Sequence, residues 1–181
     1  MRDARPFWHS ARRRLSSPQC SERFAAEHKL LNSTEVLFYH LEHQALEKVL
    51  PSLVEKTLER GWRAVVQASS PERLAAIDLA LWTYKEESFL AHGTAKDGHA
   101  AEQPVYLTTG PETPNDAGVR FLVDGAEMDA FSGFVRIVYM FDDNDADAVA
   151  KARAQWTAAK GAGCPVTYWQ QSAGGKWKKK A

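Results

Sequence analysis

Cysteine is scarce in this 181-residue chain: Cys20 and Cys164 are the only two. They lie far apart, which excludes a disulfide framework and a cysteine-built zinc site. No run approaches the roughly 20 apolar residues that a membrane helix requires. The opening, MRDARPFWHSARRRLSSP, has arginines but no apolar stretch behind them, so no secretory signal is expected there. Phosphate loops are also missing: there is no GxxxxGK[ST] and no GxGxxG. The residues after the first predicted strand, His40-Leu41-Glu42-His43-Gln44, include no glycine, so their backbone is not expected to wrap a phosphate. No GxSxG frames a serine, and no nucleophile–base pair can be named. No catalytic residue, metal site or cofactor is predicted, and a cytoplasmic location is the default expectation.

What is present supports a packed core. Hydrophobic residues make up 44% of the chain, too many for wholesale disorder. The net charge of +0 hides an asymmetry. Residues 1–30 carry seven Lys/Arg against three Asp/Glu, and the last six residues carry four lysines and no acid. From totals of 23 and 23, that leaves 12 basic and 20 acidic residues in 31–175, a net of −8. A body that acidic is a poor general binder of duplex DNA, whose phosphates demand positive charge.

Along the chain, residues 1–33 lack sustained periodicity. They read as an N-terminal extension: a disordered lead-in, a transit-like segment or a misassigned start. Residues 34–171 read as one α/β domain, and 172–181 as a glycine-hinged, flexible basic tail. Strands are predicted at 34–41, which mixes β-branched and aromatic residues, at 63–68, 104–109, within 118–125, at 134–141, the most apolar, and at 164–169. A helix is predicted over 44–60, with Pro51 either near its start or at a kink, and Gly61 ending it. Ser70-Pro71 is a helix start, with the hydroxyl as N-cap and proline where no N–H is missed. That helix carries Leu74, Ile77, Leu81 and Trp82, and Leu79 is also assigned to the core. Residues 91–103 read as a loop. Aspartates within 142–147 favour the N-terminus of a helix over 145–160. Alternating short strands and helices predict a single three-layer domain. Its central sheet is mostly parallel, with helices on both faces and no nucleotide-binding loop.

Two clusters invite a metal reading and do not sustain it. Asp143, Asp145 and Asp147 alternate, but a Ca²⁺ loop also needs a central glycine and a distal glutamate. His40 and His43, and His92 and His99, lack partners at zinc spacing and read as surface or loop histidines.

The pattern Asp78-Leu79-Ala80-Leu81-Trp82, then Glu87-Ser88-Phe89-Leu90-Ala91-His92, resembles the signature DxxLWxxxxxSFxPH of the chi subunit family of bacterial DNA polymerase III. Ala91 replaces the usual proline. The opening strand TEVLFYHL also fits, as does the segment Arg153-x-x-Trp156-x-x-x-Lys160 followed by glycine and a strand ending in tryptophan. The resemblance spans roughly 34–171.

It implies a non-catalytic accessory subunit in DNA replication with two protein contacts. One is the psi subunit or another clamp-loader component, for which Trp82 and Phe89 are the candidates. The other is the acidic, Phe-terminated C-terminal tail of single-stranded-DNA-binding protein, for which Arg153, Trp156 and Lys160 are the candidates. These three share a helix face. The arginine would take the carboxylate, the tryptophan would wall an apolar pocket, and the lysine would add attraction. Thr157, basic in some members, contributes no charge here. Plain core burial is the alternative for Trp82, Phe89 and Trp156. Two other functions stay open: a small α/β enzyme with an unrecognised site in the 91–103 loop, and a single-stranded nucleic-acid binder using Arg12-Arg13-Arg14 and Lys178-Lys179-Lys180.

Overall fold

A computed structural model of the chain describes residues 34–172 and 174–180. The expectations for residues 1–33, including Arg12-Arg13-Arg14, lie outside the described residues.

The described residues form one open α/β sheet. Its strands are β1 (Glu35–Leu41), β2 (Ala64–Gln67), β3 (His92–Thr94), β4 (Val105–Thr108), β5 (Val119–Val123), β6 (Arg136–Asp142), β7 (Val166–Gln171) and β8 (Trp177–Lys179). The helices are α1 (Leu46–Glu59), α2 (Pro71–Trp82) and α3 (Ala146–Gly161). The strand order is β3-β4-β2-β5-β6-β1-β7-β8, and every pairing is parallel except the antiparallel β7–β8. This is the predicted class: a mostly parallel sheet with α1 and α2 on one face and α3 on the other.

Strand alternation divides the core between the faces. On β1, Leu37 and Leu41 pack toward α1 and α2 with Val49, Leu50, Ile77 and Leu81. Val36 and Phe38 point the other way, to Ala148, Ala152 and Ala159 of α3. Each fully buried large apolar side chain of this kind stabilises the fold by about 1.5–3 kcal/mol. The small alanines of α3 let that helix lie close to the sheet.

Local chemistry explains the element ends. Ser70 Oγ accepts a hydrogen bond from the Arg73 N–H, and Pro71 opens α2. Asp145 caps α3 by accepting from the N–H groups of Asp147 and Ala148 at 3.0 Å each. Gly61 follows α1 with φ of 74°, a left-handed conformation that favours glycine. Pro51 neither starts nor stops α1. Its missing N–H deprives only the carbonyl of Glu47, in the first turn.

Several expectations need correction. Residues 172–181 are not a free tail: the turn closed by Ser172 N–H to Lys176 O (2.9 Å) folds β8 back onto β7. The strand predicted at 164–169 runs two residues later, because β8 supplies partners as far as Gln171. The loop over 91–103 contains β3, an edge strand paired to β4, with His92 buried. Leu79 is 64% exposed rather than in the core. The turn of α2 that carries it faces away from Ile77 and Leu81, which hold the sheet contact.

At the β1–α1 junction the backbone does converge on an oxygen, contrary to expectation. The N–H groups of Glu42, His43 and Gln44 all donate to Gln171 Oε1, at 3.3, 3.2 and 3.1 Å. The Gln171 side chain, buried and held by Gln44, thus fills the position where a phosphate loop would hold its ligand.

Candidate functional site

Helix α3 and strands β1 and β7 enclose an open groove of about 460 Å³. Phe38, Phe141 and Val149 give it apolar walls, and Arg153, Trp156 and Thr157 line it from α3. Trp156 is neither sealed in the core nor free. It meets Phe38 edge-on at 5.2 Å and Tyr168 at 6.0 Å, ring to ring, and still borders the groove. Lys160 Nζ stands 4.7 Å from the centroid of the Trp156 ring, a cation–π contact. The guanidinium of Arg153 is exposed at the groove's edge. Thr157 turns its hydroxyl back to the Arg153 carbonyl at 3.1 Å, so it offers the groove a methyl rather than a charge.

The groove also contains residues that sequence reasoning did not assign. His40 is buried, with Nε2 2.9 Å from Asp143 Oδ1 and Nδ1 2.7 Å from the Tyr168 hydroxyl. It is therefore not a surface histidine as expected, because alternation on β1 turns it to the same face as Phe38. Burial raises the Tyr168 phenol pKa, Glu42 and Asp143 push it the same way, and Arg153 pulls against them. Of the charged side chains that line the groove, Asp143 is acidic and Arg153 cationic; Glu42 acts on the Tyr168 phenol from outside the lining, and Lys160 stands against Trp156. The aspartates that invited a metal reading have local roles: Asp143 holds His40, Asp145 caps α3, and Asp142 accepts from Asn144.

A second feature lies at the end of α2. Trp82 is 55% exposed and Phe89 71% exposed, and their rings sit 5.7 Å apart. With Leu79 they form an uncovered apolar patch, so core burial does not describe them. The signature residues around them explain how the patch is held. The His92 side chain is fully buried, its Nε2 lies 3.2 Å from Asp78 Oδ1, and its Nδ1 contacts the Leu90 carbonyl. The Asp78 contact is not an aligned hydrogen bond, and Nε2 makes none. His92 also packs on Trp82 at 4.9 Å. The histidine therefore ties β3 to α2 and props the tryptophan outward. Beside it a cavity of about 510 Å³ runs between α2 and the β3–β4 edge, bordered by Asp78, His92 and Thr108.

Comparisons with known proteins identify the family. The family model of the DNA polymerase III chi subunit, HolC, matches residues 33–167. A probable DNA polymerase III subunit chi of Rickettsia prowazekii (strain Madrid E) is 24% identical over 106 residues. That match covers 59% of this chain and 64% of the relative, so the chain spans a little under two thirds of the relative's length. The aromatic patch on α2 and all of the α3 groove's lining except Tyr168 lie within the matched region. The chain belongs to the DNA polymerase III chi subunit family.

Proposed function

We propose that this chain is a non-catalytic accessory subunit of the replicative DNA polymerase III assembly, bridging its clamp loader to single-stranded-DNA-binding protein. In this reading the α3 groove captures the acidic, Phe-terminated C-terminal tail of that protein. One observation supports it above the others: Arg153 and Trp156 line a single open groove with apolar walls, with Lys160 against the tryptophan. A chain end of that chemistry needs a guanidinium for its carboxylate, a cavity for its ring and positive charge for its acids. Asp143, the acid in the lining, repels an acidic peptide and favours a pose that puts the peptide's charge beside Arg153.

The second contact is assigned to the patch of Leu79, Trp82 and Phe89. Exposed aromatics held rigidly on an α/β frame are the usual anchors of a protein interface. The partner is a psi subunit or another clamp-loader component.

The first contact is tested by titrating the full chain with a fluorescein-labelled peptide that ends in acidic residues and phenylalanine. Binding should weaken as salt rises. Arg153→Ala should weaken it at least about tenfold, or ~1.4 kcal/mol. Unchanged affinity in that variant would remove Arg153 from the site. For the second contact, Trp82→Ala and Phe89→Ala should abolish capture by the psi subunit while stability changes by less than about 0.5 kcal/mol. A large loss of stability would return these residues to a packing role.

A further inference from the structure

On the opposite face of the sheet, α1 and β8 flank a second groove, of about 390 Å³. Its floor carries Tyr39, Trp169 and Trp177, and its walls carry Lys56 and Arg60 from α1 and Lys179 from β8. We propose that this groove binds single-stranded nucleic acid, with bases stacking on the aromatic floor and phosphates held by the two cationic walls.

Charge supports this first. Although residues 31–175 carry a net charge of −8, the groove's lining includes Lys56, Arg60, Arg136 and Lys179 against one acid, Glu35. Arg136 already donates to Glu35 from both Nε and a terminal nitrogen, at 2.8 and 2.5 Å. Among the described residues, Lys56, Arg60 and Lys179 form no ion pair, which leaves their charge available.

The aromatic geometry supports it next. Trp177 meets Tyr39 edge-on at 4.8 Å and 83°, while Trp169 lies nearly parallel to Tyr39 at 6.2 Å. Nearby, the guanidinium groups of Arg60 and Arg136 stand 5.7 and 5.5 Å from the centroid of Trp62. Flat rings and guanidinium planes between rows of cations suit unpaired bases on a phosphate backbone. The groove depends on β8. Trp177 and Lys179 are two apart on that strand and share its inner face, whereas Lys178 points the other way.

An acidic peptide end fits this groove less well than the one on α3. A terminal carboxylate needs a convergent, unoccupied guanidinium fork. The arginine in the floor is taken by Glu35, and the remaining cations are spread along both walls, as a polyanion requires.

The test is fluorescence anisotropy of a labelled oligothymidylate of roughly 10 nucleotides with the full chain at low salt. The wild-type protein should bind, with affinity falling steeply as salt rises. The charge reversals Arg60→Glu and Lys179→Glu together should weaken binding at least about tenfold. Trp177→Ala should weaken it less, and Arg153→Ala should leave it unchanged. A duplex of the same length should bind more weakly, because its bases cannot stack on the floor. The charge-reversed protein should keep its circular dichroism spectrum, since both side chains are exposed. The inference is overturned by no wild-type binding, or by undiminished binding in the charge-reversed protein. Binding lost only when Arg12, Arg13 and Arg14 become serine would also overturn it. So would loss of acidic-peptide binding in the charge-reversed protein with no oligothymidylate response.

Discussion

Strands β1 and β7 carry two different surfaces back to back. Toward α3, Phe38, His40 and Tyr168 join Arg153 and Trp156 around a groove lined by a single arginine and a single carboxylate, Asp143. Toward α1 and β8, Tyr39 and Trp169 join Trp177 on the floor of a groove with cations on both sides. The same strands supply both floors, because successive side chains alternate between faces. The difference lies in how positive charge is arranged. A convergent arrangement suits one chain end, and a dispersed one suits a polymer of negative charges. A single sheet edge can thus present two chemistries that share no side chain.

That contrast can be broken by substitution. The largest effect expected is that of Arg153→Glu, which places a carboxylate at the position proposed for the peptide's own. Peptide affinity should fall by on the order of 2 kcal/mol, about thirtyfold, while oligothymidylate binding stays the same. Equal loss of both ligands in parallel titrations would show that the two grooves are not independent. Deleting residues 173–181 should do the reverse. It removes Trp177 and Lys179, so oligothymidylate binding should drop about tenfold, while peptide affinity stays within about twofold. A smaller gain is expected from Thr157→Lys, which adds a cation to the α3 wall. Peptide binding should tighten by about 0.5–1 kcal/mol at low salt and lose that gain at high salt.

The smallest effect concerns alkaline pH. Burial raises the phenol pKa of Tyr168 on one face and of Tyr39 on the other. A folded-state pKa above the unfolded one means the folded phenol holds its proton more tightly. This contribution to stability is therefore intact below about pH 10 and is lost as pH rises through the folded-state values. Denaturant unfolding at stepped alkaline pH should show the decline, and Tyr168→Phe should reduce it. In the α1 groove, Arg136 and Arg60 oppose the rise of Tyr39.

Much of the fold was legible in the sequence because local signals and tertiary packing agree. Ser70-Pro71 begins α2, Asp145 begins α3, and the apolar run at 134–141 becomes the central strand β6. The spacing of Arg153 and Trp156 placed both on one helix face, and they line one groove. What the spacing could not give was the opposite wall. His40, Phe38 and Tyr168 reach it through strand register between segments more than 100 residues apart. Strand β8 was hidden for a similar reason. A lysine-rich segment has little β propensity alone, and it is a strand only because β7 offers an open edge after a glycine turn. Leu79 is exposed although apolar, because apolar character says nothing about which side of α2 the sheet will cover. Trp82 and Phe89, for which burial and exposure were both open, are exposed because His92 takes the inner position beside Asp78.

The most direct measurement is a two-dimensional ¹H–¹⁵N NMR titration of the labelled full chain with the acidic, Phe-terminated peptide. The Trp156 indole and the amides of Arg153, Thr157 and Phe38 should move first, while the Trp177 indole stays still. Shifts centred on Trp177, Arg60 and Lys179, with the α3 signals unmoved, would contradict the assignment of the chain-end site to the α3 groove.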